Sequence, residues 1–214
     1  MNPGAEKKAA RSRLMAWRKT FTGPPRRAAE AAIGARVEPV LRALRERVPA
    51  PVVAVFCPIR GEPDLRAHYA RWRDAGFALA LPVTPAGPAP LQFALWPQDA
   101  VLRPDAFGVP TPVERMICLP DALLIPCLGF AQGAWRLGYG GGFYDRTLAA
   151  AEAGEAGWAG APLAIGIAFD AAQWPALPHE PHDRPLAMII TERRTLLREP
   201  SARTAGVDGG AAEG

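Results

Sequence analysis

The sequence predicts an α/β fold: one domain with a mostly parallel central sheet and helices on both faces, a three-layer, Rossmann-like arrangement. Three observations carry this. Short β-branched runs alternate with segments of helical period, and the run Val52-Val53-Ala54-Val55-Phe56-Cys57 is apolar throughout, as in a strand buried on both faces. A glycine-rich stretch also follows a predicted strand and opens a helix, the place where open α/β sheets bind ligands. The chain has 214 residues, 49% hydrophobic and 21% charged, enough for one sizeable core. That domain is expected over residues 1–200. Residues 201–214 (SARTAGVDGGAAEG) are polar and glycine-rich and read as a disordered tail.

The elements follow in order. From Glu6 to about Lys19 the residues are good helix formers, and after Arg26 the set Ile33, Val37, Val40, Leu41, Leu44 and Val48 recurs at spacings of three and four. Gly23-Pro24-Pro25 is expected to separate two helices, and Pro39 to kink the second because it lacks a backbone donor. The strand at 52–57 comes next. Leu65, Tyr69 and Trp72 mark a helix that Gly76 ends, and Phe77 to Leu81 form a second strand, giving a βαβ unit. Leu91 to Trp96 reads as a strand near an edge, and Ala122 to Pro126 as a central one. A helix is expected from about Phe143 to Ala153, and strands at Leu163 to Phe169 and Leu186 to Thr191.

Charge is unevenly spread. Residues 1–50 hold twelve Lys and Arg against four acids, a balance of +8, while the rest of the chain is −4. An anionic partner should be drawn to a face built by the first segment. Nothing in the sequence is long and apolar enough to span a membrane, and MNPGAEKKAARSRLMAWRK lacks the apolar centre of a secretory signal, so a cytoplasmic chain is expected. Cys57, Cys118 and Cys127 form no C-x-x-C pair, which argues against a disulfide framework or a cysteine zinc site. His179-Glu180-Pro181-His182 falls one residue short of a zinc-protease motif, and its proline opposes the helix that motif needs.

The segment with the most chemistry runs from Ile125 to Arg146. Glycines leading into a helix let backbone N–H groups approach an anion. The segment is not a Walker A loop, since no Gly-Lys-Ser/Thr ends it, and Phe143 stands where the dinucleotide fingerprint needs its last glycine. Arg136, Asp145 and Arg146 bracket it with groups suited to phosphate and to a hard cation.

The run Arg136-Leu137-Gly138-Tyr139-Gly140-Gly141-Gly142-Phe143-Tyr144-Asp145-Arg146 resembles, without a gap, the motif of the 5-formyltetrahydrofolate cyclo-ligase (5,10-methenyltetrahydrofolate synthetase) family. Lys7 and Arg11, Glu62, Phe107 to Pro112, and His182-Asp183 occur in the family's order, so the resemblance spans about residues 5–192. Cys127, Ala131 and Ala134 depart from it, standing where the family usually has Gly, Asp and Gly.

The resemblance implies ATP- and Mg²⁺-dependent closure of 5-formyltetrahydrofolate to 5,10-methenyltetrahydrofolate, with release of ADP and phosphate, by a monomer acting on small molecules. It implies nucleotide contacts from Lys7, Arg11, Arg136, Gly138, Gly140, Gly141, Gly142 and Tyr144. Arg136 and Asp145 would be catalytic, and Asp145 and Asp183 would hold magnesium. Substrate contacts would come from Cys57, Glu62, Phe107, Tyr139 and Phe143. The alternatives are a nucleic-acid-binding protein of the same fold without catalysis, motivated by the +8 segment, and a related α/β enzyme acting on a sugar phosphate.

Overall fold

The computed structural model describes residues 3–199, so the expected tail lies outside the described residues. Helix α1 spans Pro3–Thr20 and α2 spans Gly23–Arg45. The break falls at Phe21 and Thr22, and Gly23-Pro24-Pro25 opens α2 rather than separating the helices. Proline costs little there because the first helical N–H groups have no intrahelical acceptor. Pro39 lies inside α2, and the helix continues through it.

Strand β1 (Val52–Ala54), helix α3 (Arg66–Asp74) and strand β2 (Ala78–Val83) form the expected βαβ unit. Then come β3 (Gln92–Leu95), β4 (Leu102–Pro104), β5 (Pro110–Pro112), β6 (Ile117–Cys118) and β7 (Ala122–Pro126). A hairpin of β8 (Gly129–Ala131) and β9 (Trp135–Leu137) precedes α4 (Phe143–Glu152). Strands β10 (Leu163–Ile167), β11 (Met188–Ile190) and β12 (Thr195–Leu197) complete the described chain.

The main sheet runs β12-β11-β10-β7-β1-β2-β3-β6. Its five central strands, β11 to β2, are parallel, and the edge strands β12, β3 and β6 are added antiparallel. The period-2 alternation of side chains sorts the core into two layers. Val53, Ala122, Leu124, Ile165 and Ile167 pack with Ile33, Val37, Leu41, Tyr69 and Trp72 of α2 and α3. Ala54, Leu123 and Ile125 pack with Ala10 and Leu14 of α1 and Leu148 and Ala151 of α4. Each fully buried aliphatic side chain contributes about 1.5–3 kcal/mol, so both layers are needed to hold the sheet. On the first layer the helices approach closely because Gly34 carries no side chain: a Cβ there would lie 2.2 Å from Nε2 of His68.

This layering corrects one expectation. α1 and α2 lie on opposite faces of the sheet, so the basic residues of the first fifty positions do not build one anionic-partner face. Several are also engaged locally: Arg26 pairs with Glu30, Arg36 donates to the carbonyl of Glu192, and Arg45 to that of Ala75. Among the described residues no helix is long and apolar enough to cross a membrane.

Candidate active site

A cleft of about 500 Å³ opens at the C-terminal ends of the parallel strands, a volume suited to small-molecule ligands. Its walls come from Phe56 and Cys57 beyond β1, Pro82 and Thr84 at the end of β2, Pro126 ending β7, the glycine loop before α4, and α1. Ladder pairing in β1 stops at Ala54, but residues 55–57 stay buried because they turn into this wall.

One side of the cleft is the loop 138–142. Gly140 has φ +100° and Gly142, the residue before α4, has φ +64°, backbone conformations that side chains resist. The first turn of α4 has no side-chain cap, so its N–H groups remain available. Arg136, on β9, has a side chain 7% exposed, and its Nη2 lies 2.7 Å from Oδ1 of Asp145 in the first turn of α4. That contact is not aligned as a hydrogen bond: Nε and Nη2 of Arg136 are buried without a hydrogen-bond partner. Leaving such donors unsatisfied costs about 1–3 kcal/mol, which an oxyanion in the cleft would recover. Tyr144 packs under the guanidinium, 5.8 Å from its ring centre.

α1 brings Lys7 and Arg11 to the same rim. Arg11 donates from Nε to the carbonyl of Gly138 at 2.9 Å. Lys7, 8% exposed, reaches Oδ2 of Asp183 at 2.6 Å and Oε2 of Glu180 at 2.9 Å. Burial pulls the Lys7 ammonium toward its neutral form, but Asp183 and Glu180 together outweigh this and leave it above its ordinary pKa. Burial likewise opposes ionisation of Asp183, and Lys7, the Glu180 N–H and His182 together more than compensate, so its pKa is lowered. His179 stacks on Trp135 at 4.0 Å and pins this segment to β9.

The opposite side of the cleft is built by the turn that follows β1. Ile59 to Glu62 form a tight turn with Arg60 at φ +50° and Gly61 at φ +74°, closed by the Glu62 N–H donating to Ile59 O at 3.0 Å. The turn delivers Glu62, only 2% exposed, into the wall. Burial pushes its carboxyl up to about 6, opposed by the Ile59 N–H, Arg18, the Tyr139 hydroxyl and Arg60. Phe107 and Phe143 meet edge to face at 5.7 Å, and Cys57 lies beside them in the lining, its thiol pKa raised by burial.

All the residues expected to contact nucleotide, substrate or metal therefore line one cleft. Asp145 pairs with Arg136, while Arg146 turns away to donate to the carbonyls of Gly141 and Ala89. Magnesium on a nucleotide takes only one or two protein carboxylates beside its waters and phosphates, and Asp145 and Asp183 supply oxygens of that kind. Among the described residues, the cluster with ligand atoms within 4.8 Å of one another is Glu180, His182 and Asp183, without Asp145. At the departure Ala134 the backbone sits at φ +60° in the β8–β9 turn, where glycine is the unstrained choice, so the alanine is held there under strain.

Sequence reasoning missed Arg18 and Glu180. Arg18 is 2% exposed and continues the buried stripe Lys7, Ala10 and Leu14 along α1. Its Nη1 donates to the Tyr139 hydroxyl at 2.8 Å and its Nη2 to the carbonyl of Cys127. The stripe's spacing of three and four was the available signal.

Comparison with known proteins gives a consistent picture. The 5-formyltetrahydrofolate cyclo-ligase family model matches residues 3–192. A 5-formyltetrahydrofolate cyclo-ligase of Escherichia coli is 32% identical over 151 residues, covering 67% of this chain and 79% of that protein. One of Mycolicibacterium smegmatis is 29% identical over 154 residues, covering 68% and 75%. The solution structure of Aquifex aeolicus 5,10-methenyltetrahydrofolate synthetase superposes with a TM-score of 0.72 at 25% identity, covering 97% of this chain and 96% of that one. The 5,10-methenyltetrahydrofolate synthetase of Mycoplasma pneumoniae shares the fold at TM-score 0.66 and 20% identity, covering 87% and 98%.

Proposed function

The chain belongs to the 5-formyltetrahydrofolate cyclo-ligase family, and from that premise we propose that it closes 5-formyltetrahydrofolate to 5,10-methenyltetrahydrofolate at the cleft between Arg136 and Glu62, with consumption of MgATP. The domain that does so spans residues 1–200 and works as a cytoplasmic monomer. The observation that carries the reading is the buried Arg136 guanidinium beside the glycine loop, ion-paired to Asp145 at 2.7 Å yet with Nε and Nη2 lacking an aligned hydrogen-bond partner.

The substrate's N5-formyl group is an amide, and its oxygen is a poor leaving group. Bound MgATP supplies the activation, a phosphoryl group for that oxygen. The N10 amine of the same molecule then attacks the activated carbon and gives up its proton to solvent, the carbon–oxygen bond breaks with phosphate leaving, and the carbon is left joined to both nitrogens as the methenyl bridge. Attack within one molecule carries the large advantage of proximity, so the protein's task is positioning and charge stabilisation. Backbone N–H groups at Gly138, Gly140, Gly141 and Gly142 and the fork of Arg136 hold the phosphates, with Lys7 and Arg11 completing the basic rim and Tyr144 supporting the arginine. Arg136 also offsets charge that builds on the transferred group. Asp145 and Asp183 would hold magnesium. Glu62 accepts hydrogen bonds from the polar edge of the pteridine, while Phe107, Tyr139, Phe143 and Cys57 wall its rings and exclude water.

The nucleic-acid reading has less to rest on, because the basic residues of α1 and α2 are divided between two faces. The test is direct. Purified protein with 5-formyltetrahydrofolate should develop the ultraviolet absorbance of the methenyl product only when MgATP is present. No product with MgATP, under conditions where the protein is folded, overturns the proposal.

A further inference from the structure

At the end of α1 a buried cation reaches across the molecule to the far side of the cleft. Arg18 Nη1 donates to the Tyr139 hydroxyl at 2.8 Å, and the Arg18 stem lies against Gly61, the residue before Glu62, where a Cβ would meet the arginine's Cβ at 3.6 Å and its Cδ at 3.9 Å. Nη2 is tied to the carbonyl of Cys127, just beyond β7, so the guanidinium is fixed to the sheet rather than to solvent. Its Nε is buried and has no hydrogen-bond partner, and in the described residues it lies within ion-pair distance of no carboxylate. A charge held in this way is costly to bury unless it acts on another charge nearby. The nearby charge is Glu62.

We infer that Arg18 is a positioning residue, which orients Tyr139 and keeps the buried Glu62 carboxylate ionised in the substrate half of the cleft. This deepens the proposed function and rests on it for the identity of the substrate, whereas the link between Arg18 and Glu62 rests on the Arg18–Tyr139 hydrogen bond and on the Arg18 stem packed against Gly61. Without the cation, burial would favour the neutral acid, which would present an O–H where the substrate's polar edge needs an acceptor. The groups facing Glu62 come from every element around it. Arg18 approaches from α1, Arg60 and the Ile59 N–H from its own turn, and Tyr139 from the glycine loop. Tyr144 of α4 and Cys127 feel its charge from further away, and Arg26 of α2 touches only its backbone carbonyl, at 2.8 Å. Arg18 is thus the buried cation of the set, and Arg60, exposed and lying 5.4 Å over the Tyr139 ring, is screened by water.

Two readouts on the full-length protein test this. The first is the pH dependence of kcat/KM for 5-formyltetrahydrofolate at saturating MgATP, for wild type, Arg18→Met, Arg18→Lys and Tyr139→Phe. The second is an NMR titration of the Glu62 carboxyl carbon in the same variants, which needs no activity. Removing an opposite charge at this range moves a carboxyl by about one to two units. In Arg18→Met the Glu62 titration and the acid limb of the profile should therefore both rise by that amount. The loss would be on the order of tenfold at pH 6 and would nearly vanish at pH 8.5. Arg18→Lys, which restores the charge, should return both close to wild type. An Arg18→Met protein that melts like wild type, with the Glu62 titration unmoved, overturns the inference. Should that variant not fold, Tyr139→Phe decides: an upward shift supports the linkage, and a wild-type titration refutes it. A wild type that makes no methenyl product rejects the functional reading instead, and the titration still judges the role of Arg18.

Discussion

Replacing Glu62 with glutamine should make the protein more stable at neutral pH while impairing the reaction. The carboxyl is 2% exposed and is pushed from its ordinary 4.5 up to about 6. The native state therefore holds this proton more tightly than the unfolded chain does. Well below pH 4.5 both states are protonated and the group contributes nothing. Stability is lost as pH rises from about 4.5 to 6, and above that the full cost remains. A difference of about 1.5 units at ~1.4 kcal/mol each gives about 2 kcal/mol. Glutamine has the shape of the protonated acid and can still accept from the Ile59 N–H, which lies 3.0 Å from Oε2. For a protein of this size about 2 kcal/mol corresponds to a rise in Tm of roughly 4–8 °C. Thermal melting followed by circular dichroism at pH 7.5 should show that rise for Glu62→Gln, and at about pH 3.5, well below the unfolded pKa, the two proteins should melt together. A variant that melts at or below wild type at pH 7.5 would refute the reasoning, because the carboxylate would then be a net stabiliser of the native state.

Further expectations concern the phosphate half and the scaffold. Arg136→Ala or Asp145→Asn should lower turnover on the order of a hundredfold, the usual scale for a preorganised charge-stabilising group, and unchanged steady-state kinetics in both would reject the site. Gly34→Ala should destabilise by about 1–3 kcal/mol in urea titration, since the new Cβ would overlap the buried His68 ring, and the double variant with His68→Ala should recover part of that loss. Ala156 is exposed at φ +53°, so Ala156→Gly should raise stability by up to about 1 kcal/mol in the same assay without altering activity.

The parallel centre of the sheet was legible because Val52 to Phe56 and Ala122 to Ile125 have no polar positions, the mark of strands covered on both faces. The hairpins β4–β5 and β8–β9 and the edge strands β6 and β12 were not. With two or three residues each, they carry no period to read, and the β8–β9 turn places an alanine where the backbone calls for glycine. In the cleft, Arg136, the glycines and Asp145 were legible because they are contiguous in sequence. Arg18 was not, since an arginine in the last turn of a helix usually serves the helix dipole at the surface. Its burial depends on Tyr139, 121 positions away. Glu180 was missed for the same reason: its partner, Lys7, is 173 positions distant.

That last separation governs how the enzyme comes into being. At ~5–20 residues per second, roughly 10 to 35 s pass between synthesis of Lys7 and synthesis of Asp183, its partner 176 positions on. For nearly all of that interval Lys7 lacks both of its carboxylate partners, and Leu14 lacks the β8–β9 hairpin it covers until Gly129 has been made. The rim of the cleft is among the last features the growing polypeptide completes, and a chain cut short before residue 180 carries the glycine loop without the two carboxylates that Lys7 pairs with.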